Sequence, residues 1–146
     1  MNLNKSRSGL FLMELIMAIF IFSIASTICI QMFIKSHVLS QKSVELNHAV
    51  TWCGSMAELF YATDGNLEKM AEELDYSYFD DSMNNISIYY DDSFLSVDGI
   101  NNATYCVTGS VSESDQLITL NIQCKDLLDN EDIYSLKPTL FPQKNN

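Results

Sequence analysis

Few side chains in this sequence are equipped for chemistry, and their spacing decides what kind is possible. The two histidines, His37 and His48, lie eleven residues apart. On one helix that is about three turns, too far to share a metal ion. The one arginine is Arg7, close to the N-terminus, and no glycine-rich phosphate loop, nucleophile elbow or paired histidine–carboxylate spacing occurs. Neither catalysis nor a cofactor is expected. Asp126, Asp129, Glu131 and Asp132 lack the alternate-ligand and glycine pattern of a calcium loop, so they read as a solvated acidic turn and no metal site is expected. The triplets Asn85-Ile-Ser87 and Asn102-Ala-Thr104 match a glycosylation acceptor, a short pattern that carries little weight alone. Of the four cysteines, Cys29 lies in an apolar run. Cys124 shares the apolar face of Ile118, Leu120 and Ile122, whereas Cys106 aligns with the polar Thr104 and Thr108, so these two cannot meet across a hairpin. Cys53 is the expected neighbour of Cys124, as a buried free thiol before a bonded one. The side chain whose position most demands a role is Glu14. From Leu10 to Ile34 only Glu14 and Cys29 are ionisable, and a carboxylate deep in a bilayer costs about 2.5–3.5 kcal/mol on insertion scales.

The element carrying Glu14 is long enough to cross a membrane. About 25 residues at 1.5 Å each reach about 37 Å, against a hydrocarbon core of roughly 30 Å. Lys5 and Arg7 precede the run and Lys35 alone follows it closely, so the expected topology is N-terminus cytoplasmic and bulk exported. A cleavable secretory signal ending at Ser23-Ile-Ala25 is opposed by Glu14 inside its apolar region and by the apolar end that cleavage would leave. A plain anchor explains the length and gives Glu14 nothing to do.

Lys5, Arg7 and the run Gly9-Leu-Phe-Leu-Met-Glu14 at the head of an apolar helix resemble the type IV pilin and pseudopilin signature. The resemblance covers about the first 35 residues. It implies a leader of residues 1–9, cleavage by a prepilin peptidase between Gly9 and Leu10, N-methylation of Leu10, and pairing of Glu14 with the terminal amine of a neighbouring subunit during filament assembly. It also implies an inner assembly platform, other pilin or pseudopilin subunits and membrane lipid as partners. Such pairing is physically coherent, because a carboxylate in low dielectric gains far more from an ammonium than it does in water. Two departures stand out: Leu10 where the family favours Phe, and Leu12 where it favours Thr. No proline interrupts Leu10 to Phe60, which leans toward a minor pilin or pseudopilin.

Beyond the span, Leu39, Leu46, Val50, Cys53, Ala57 and Phe60 fall at helical spacing. They predict that the helix runs on for about 53 residues with one packing stripe. His48 falls off that stripe, as a solvated residue. Asp64-Gly65-Asn66 ends the helix, and a short second helix from Leu67 to Leu74 opens on Asn66 as its cap. After Tyr76 the period becomes two: Ile86–Tyr90, Tyr105–Thr108, Leu117–Cys124 and Ile133–Leu136 read as strands, with polar turns at Asp91-Asp92 and Ser112–Asp115, and a tail fraying from Lys137. The expected fold class is α+β: a long N-terminal helix, transmembrane in its first half, packed on a small antiparallel sheet. Residues 10–34 form the transmembrane half and residues 35–146 an exported globular headgroup.

The chain of 146 residues carries Lys+Arg 8 against Asp+Glu 19, a formal charge of −11. Loss of Lys5 and Arg7 with the leader would remove two positive charges and leave −13. No basic patch offsets this, and direct nucleic acid binding is not expected. The functional expectation is a structural filament subunit of a type IV pilus-like or type II secretion-like machine, resident in the membrane before assembly and at the cell surface after it. The alternative is a membrane-anchored extracellular acidic module that binds a partner without polymerising.

Overall fold

The computed structural model describes residues 3–75, 77–80, 84–114 and 117–141, with only the backbone described for residues 3–8. Helix α1 runs from Leu3 to Ala62. By its internal contacts the chain divides into Met1–Ser43 and Val44–Asn146.

In the first unit nearly every side chain from Gly9 onward is exposed. The helix has a stretch long and apolar enough to cross a membrane. Its hydroxyls are satisfied locally: Ser23 Oγ donates to the Ile19 carbonyl at 2.8 Å and Thr27 Oγ1 to the Ser23 carbonyl at 2.9 Å. Back-bonding of this kind hides polar groups that hydrocarbon would penalise.

The second unit packs the remainder of α1 on an antiparallel sheet. The strands are β1 (Ser77–Asp80), β2 (Asn85–Tyr90), β3 (Ser96–Val97), β4 (Tyr105–Ser114), β5 (Leu117–Asp126), β6 (Asp132–Leu136) and β7 (Thr139–Leu140). Their order is β1-β2-β4-β5-β6, with β3 paired to β2 and β7 to β5. That is the expected meander, since short links join neighbours. Alternation turns Ile86, Ile88, Val107, Leu120, Ile122 and Cys124 to one face, where they meet Ala49, Cys53, Met56 and Phe60 of α1. Gly109 leaves room for Met56 of the helix to pack against the sheet. A Cβ there would stand 2.9 Å from Met56 Sδ and 3.1 Å from Ile86 Cγ2.

Helix α1 ends as its sequence dictates. Asp64 and Gly65 take φ of 52° and 80°, and Gly65 N–H donates to the Phe60 carbonyl at 2.9 Å. Asn66 Oδ1 then accepts from Lys69 N–H at 3.1 Å and caps α2, Leu67–Glu73, which buries Leu67 and Met70.

Three expectations are corrected. The packing stripe of α1 is rotated by roughly 50°, half of the step between successive residues. Leu39, Leu46 and Val50 are 70%, 44% and 42% exposed, while Ala49 and Met56 are buried in their place. Large amphipathic side chains set the rotation, because Trp52 and His48 find ring partners on the sheet side. Next, Ser112, Glu113 and Ser114 are not a turn: they pair with Thr119, Ile118 and Leu117 as the outer end of β4. Third, the chain after Lys137 does not simply fray, since Thr139 and Leu140 pair with Thr119 and Ile118. Residues 142–146 and Asp115 of the expected turn lie outside the described residues.

Candidate functional site

The expected assembly residues lie on one stretch of α1. Gly9 is helical, and a Cβ built on it would meet nothing within 4 Å, so packing does not require glycine there. A glycine inside a helix costs about 1 kcal/mol relative to alanine. Leu10 is 67% exposed. Glu14 follows it by four residues and so lies on the same side of the helix, one turn on. Glu14 is exposed, and its neighbours Phe11, Met13, Leu15 and Met17 are exposed apolar side chains. The side chains of Lys5 and Arg7 lie outside the described residues.

Most of the other candidates from sequence are held by contacts within the headgroup that leave them little chemistry. His37 is exposed. His48 is half-buried instead of solvated, with its ring stacked on Phe94 at 4.0 Å and 7°. Trp52 stacks on Tyr90 at 3.9 Å, and Phe94 on Tyr105 at 5.5 Å. Phe94 holds φ at 64°, an unusual conformation for a bulky side chain. The loop that carries it is pinned by Asp91, whose Oδ1 accepts from Ser93 N–H at 3.0 Å and Leu95 N–H at 2.9 Å. Burial pushes the Tyr90 hydroxyl up to about 12, and burial with the nearby Glu45 carboxylate does the same for Tyr105. Neither phenol ionises near neutrality.

All four cysteines are free. Cys53 and Cys124 share the core as expected. Cys106 does point away from Cys124, since it pairs with Lys125 while Val107 pairs with Cys124. Yet Cys106 itself is not solvated, being only 7% exposed. Desolvation raises Cys53 and Cys106 to about 11 and Cys124 to about 12. Thiols this hard to ionise are poor nucleophiles and poor metal ligands.

The acidic turn is self-contained. Asp126 Oδ1 accepts from Leu128 N–H at 2.7 Å and Asp129 N–H at 3.3 Å, and Lys125 Nζ approaches Asp132 at 3.7 Å and Asn130 Oδ1 at 3.4 Å. Among the described residues no three His, Cys, Asp or Glu side chains form a metal-binding group. Of the glycosylation triplets, Asn85 lies in the β2 ladder and Asn102 closes an exposed 3-10 turn, Ile100–Asn102.

Sequence reasoning missed the aromatic group of Trp52, Tyr90, Phe94 and Tyr105. Its one available signal was the spacing of four between His48, Trp52 and Met56, which marks a second helical face.

Fold and sites together define an α+β protein with a long N-terminal helix, apolar and exposed in its first half. No family model, no curated protein and no solved structure matches the chain.

Proposed function

We propose that this protein is a structural subunit of a type IV pilus-like or type II secretion-like filament, a minor pilin or pseudopilin. The reading rests on Glu14: one carboxylate, one turn after Leu10, on a helix whose remaining side chains there are apolar and exposed. In lipid such a carboxylate is penalised until an ammonium reaches it. Cleavage between Gly9 and Leu10 creates that ammonium on every subunit, so each newcomer's Glu14 can be neutralised by a neighbour's N-terminus. A glycine that packing does not require is consistent with recognition by a peptidase. In the headgroup, Leu46 and Val50 form an exposed apolar strip on α1 beside the packed face, suited to helices of other subunits. Before assembly the protein waits as a single-pass membrane protein, headgroup outward, and after assembly it stands in a surface filament. Its partners are the prepilin peptidase, the inner assembly platform, lipid and sister subunits, with neither a catalytic role nor direct nucleic acid binding.

Mass spectrometry of the protein from its own host tests the reading. A mature chain starting at methylated Leu10 is expected; an intact Met1 in filament-competent cells would overturn the proposal in favour of a non-polymerising anchored module.

A further inference from the structure

Away from α1, the outer face of the sheet holds a cleft of about 540 Å³, within the usual range for small-molecule sites. One wall is built by strand alternation. Tyr78 of β1 pairs with Ser87 of β2, and Tyr89 lies two residues further along β2 on that same face. The two tyrosine rings meet at 5.6 Å and 67°, close to edge-to-face. The opposite wall is the segment after β3, where Gly99 turns at φ 89° and delivers Ile100 and Asn101 over the strands. Tyr78 hydroxyl donates to the Asp98 carboxylate and ties the two walls together.

The lining has a consistent sign. Asp80 lines the cleft and Asp98 anchors its rim, while no lysine, arginine or histidine is among the lining residues. With a formal charge of −11 on the whole chain, an anionic ligand is repelled and a cation is drawn in. A bare metal ion is a poor fit, because no group of three metal-ligating side chains exists among the described residues. An organic cation fits better. Two tyrosines set at a steep angle offer more than one electron-rich face, and such faces attract ammonium groups. Donation of the Tyr78 proton to Asp98 enriches its ring further and holds the phenol in its neutral form, raising its ionisation above the ordinary value. Asp98 is already engaged by that hydroxyl, and Asp80 also has an interaction within the fold. The site thus supplies diffuse negative charge and aromatic surface more than directed acceptors. That balance suits a cation with no N–H groups. We propose that this cleft binds a quaternary ammonium ion of the choline class against Tyr78 and Tyr89, with Asp80 and Asp98 supplying the charge.

The experiment uses the full chain in phosphatidylglycerol nanodiscs and phosphate buffer, so that no competing ammonium is present. Choline is titrated beside its uncharged isostere, 3,3-dimethylbutan-1-ol, and saturation transfer from tyrosine ring protons to the ligand methyls is read. Choline should saturate with a Kd on the order of 1 mM, and the isostere should bind about tenfold more weakly. Tyr89→Leu should abolish the transfer, and Asp98→Asn should weaken choline several-fold with an unchanged circular dichroism spectrum. Equal binding of the isostere, no saturation by choline, or undiminished binding by Tyr89→Leu would each overturn the assignment. So would methyl glucoside occupying these rings where choline does not.

Discussion

Phe33 and Phe60 belong to the same helix and have opposite surroundings: Phe33 is 83% exposed and Phe60 is fully buried. The first unit presents Leu, Ile, Phe and Met to the outside on every side of α1, while the second hides the same residue types against Ile86, Leu120 and Ile122. Residue type therefore does not separate the two halves. What separates them is the cover each finds: Phe60 is enclosed by the headgroup core, and Phe33 is left exposed. A helix apolar all round needs lipid or other helices to cover it.

The sharpest way to break this contrast is to remove Glu14, the one charged side chain between Leu10 and Ile34. Glu14→Gln and Glu14→Leu should both stay in the membrane fraction, while their content in sheared filaments falls at least about tenfold, because loss of a buried charge pair is worth several kcal/mol. Wild-type filament content of both variants would remove the pairing role from Glu14. For a subunit that sits at a filament tip, the same variants should instead be scored by whether filaments start at all.

Next in size is a matched pair of truncations. A chain beginning at Lys35 should be soluble without detergent, monomeric, and show both helix and strand by circular dichroism. In that background Phe60→Ala should cost about 3–5 kcal/mol in urea denaturation. Phe33→Ala in the full chain should leave the headgroup transition unmoved. Equal effects of the two substitutions would erase the distinction drawn above.

A smaller loss is expected at Gly109, beneath Met56. Gly109→Val forces atoms against Met56, Ile86 and Leu120, which already stand 2.9–3.2 Å from the place its Cβ would occupy, and should cost about 1–3 kcal/mol. Met56→Ala in the same chain should recover part of it, since the thioether is the nearest obstacle.

The smallest effect near physiological pH is alkaline. Cys53, Cys106 and Cys124 have an ordinary value of 9.0 that folding raises to about 11, 11 and 12. The native state therefore holds protons that the unfolded chain gives up above pH 9. Headgroup stability should be constant with respect to these thiols below pH 9 and fall from pH 9 toward 12. Serine at all three positions should remove that part of the alkaline decline, read by denaturant midpoints at pH 8 and pH 10.5.

Much of the headgroup was legible because its signals are local. Ile118–Cys124 alternates without interruption, Asp64-Gly65 offers the left-handed turn that ends α1, and Asn66 is a cap by type and position. The stripe on α1 was legible only to within half a residue step. Leu46 and Val50 look more apolar than Trp52 or His48, yet ring stacking on Tyr90 and Phe94 decided which side faced the sheet. Short strands such as β1, β3 and β7 give too few residues to show a period. Ser112–Ser114 reads as a turn because the end of β4 is uncovered on both faces. Glu14 could be singled out from sequence because its surroundings are set by composition alone. The cleft beside Tyr78 and Tyr89 could not, since it exists only once the Asp98–Asn101 segment comes back over β1 and β2.

The margins of the sheet carry one more consequence. Each free side of the long strands is covered by two short pieces in tandem: β1 and β3 along β2, β6 and β7 along β5. The register also slips between Cys124 and Lys125 where β6 pairs. Neither margin offers a long, flat, uninterrupted row of unpaired amides to a passing chain, which is how proteins guard against edge-to-edge aggregation. Sheets crowded side by side at high local concentration are thus kept from zipping into one another.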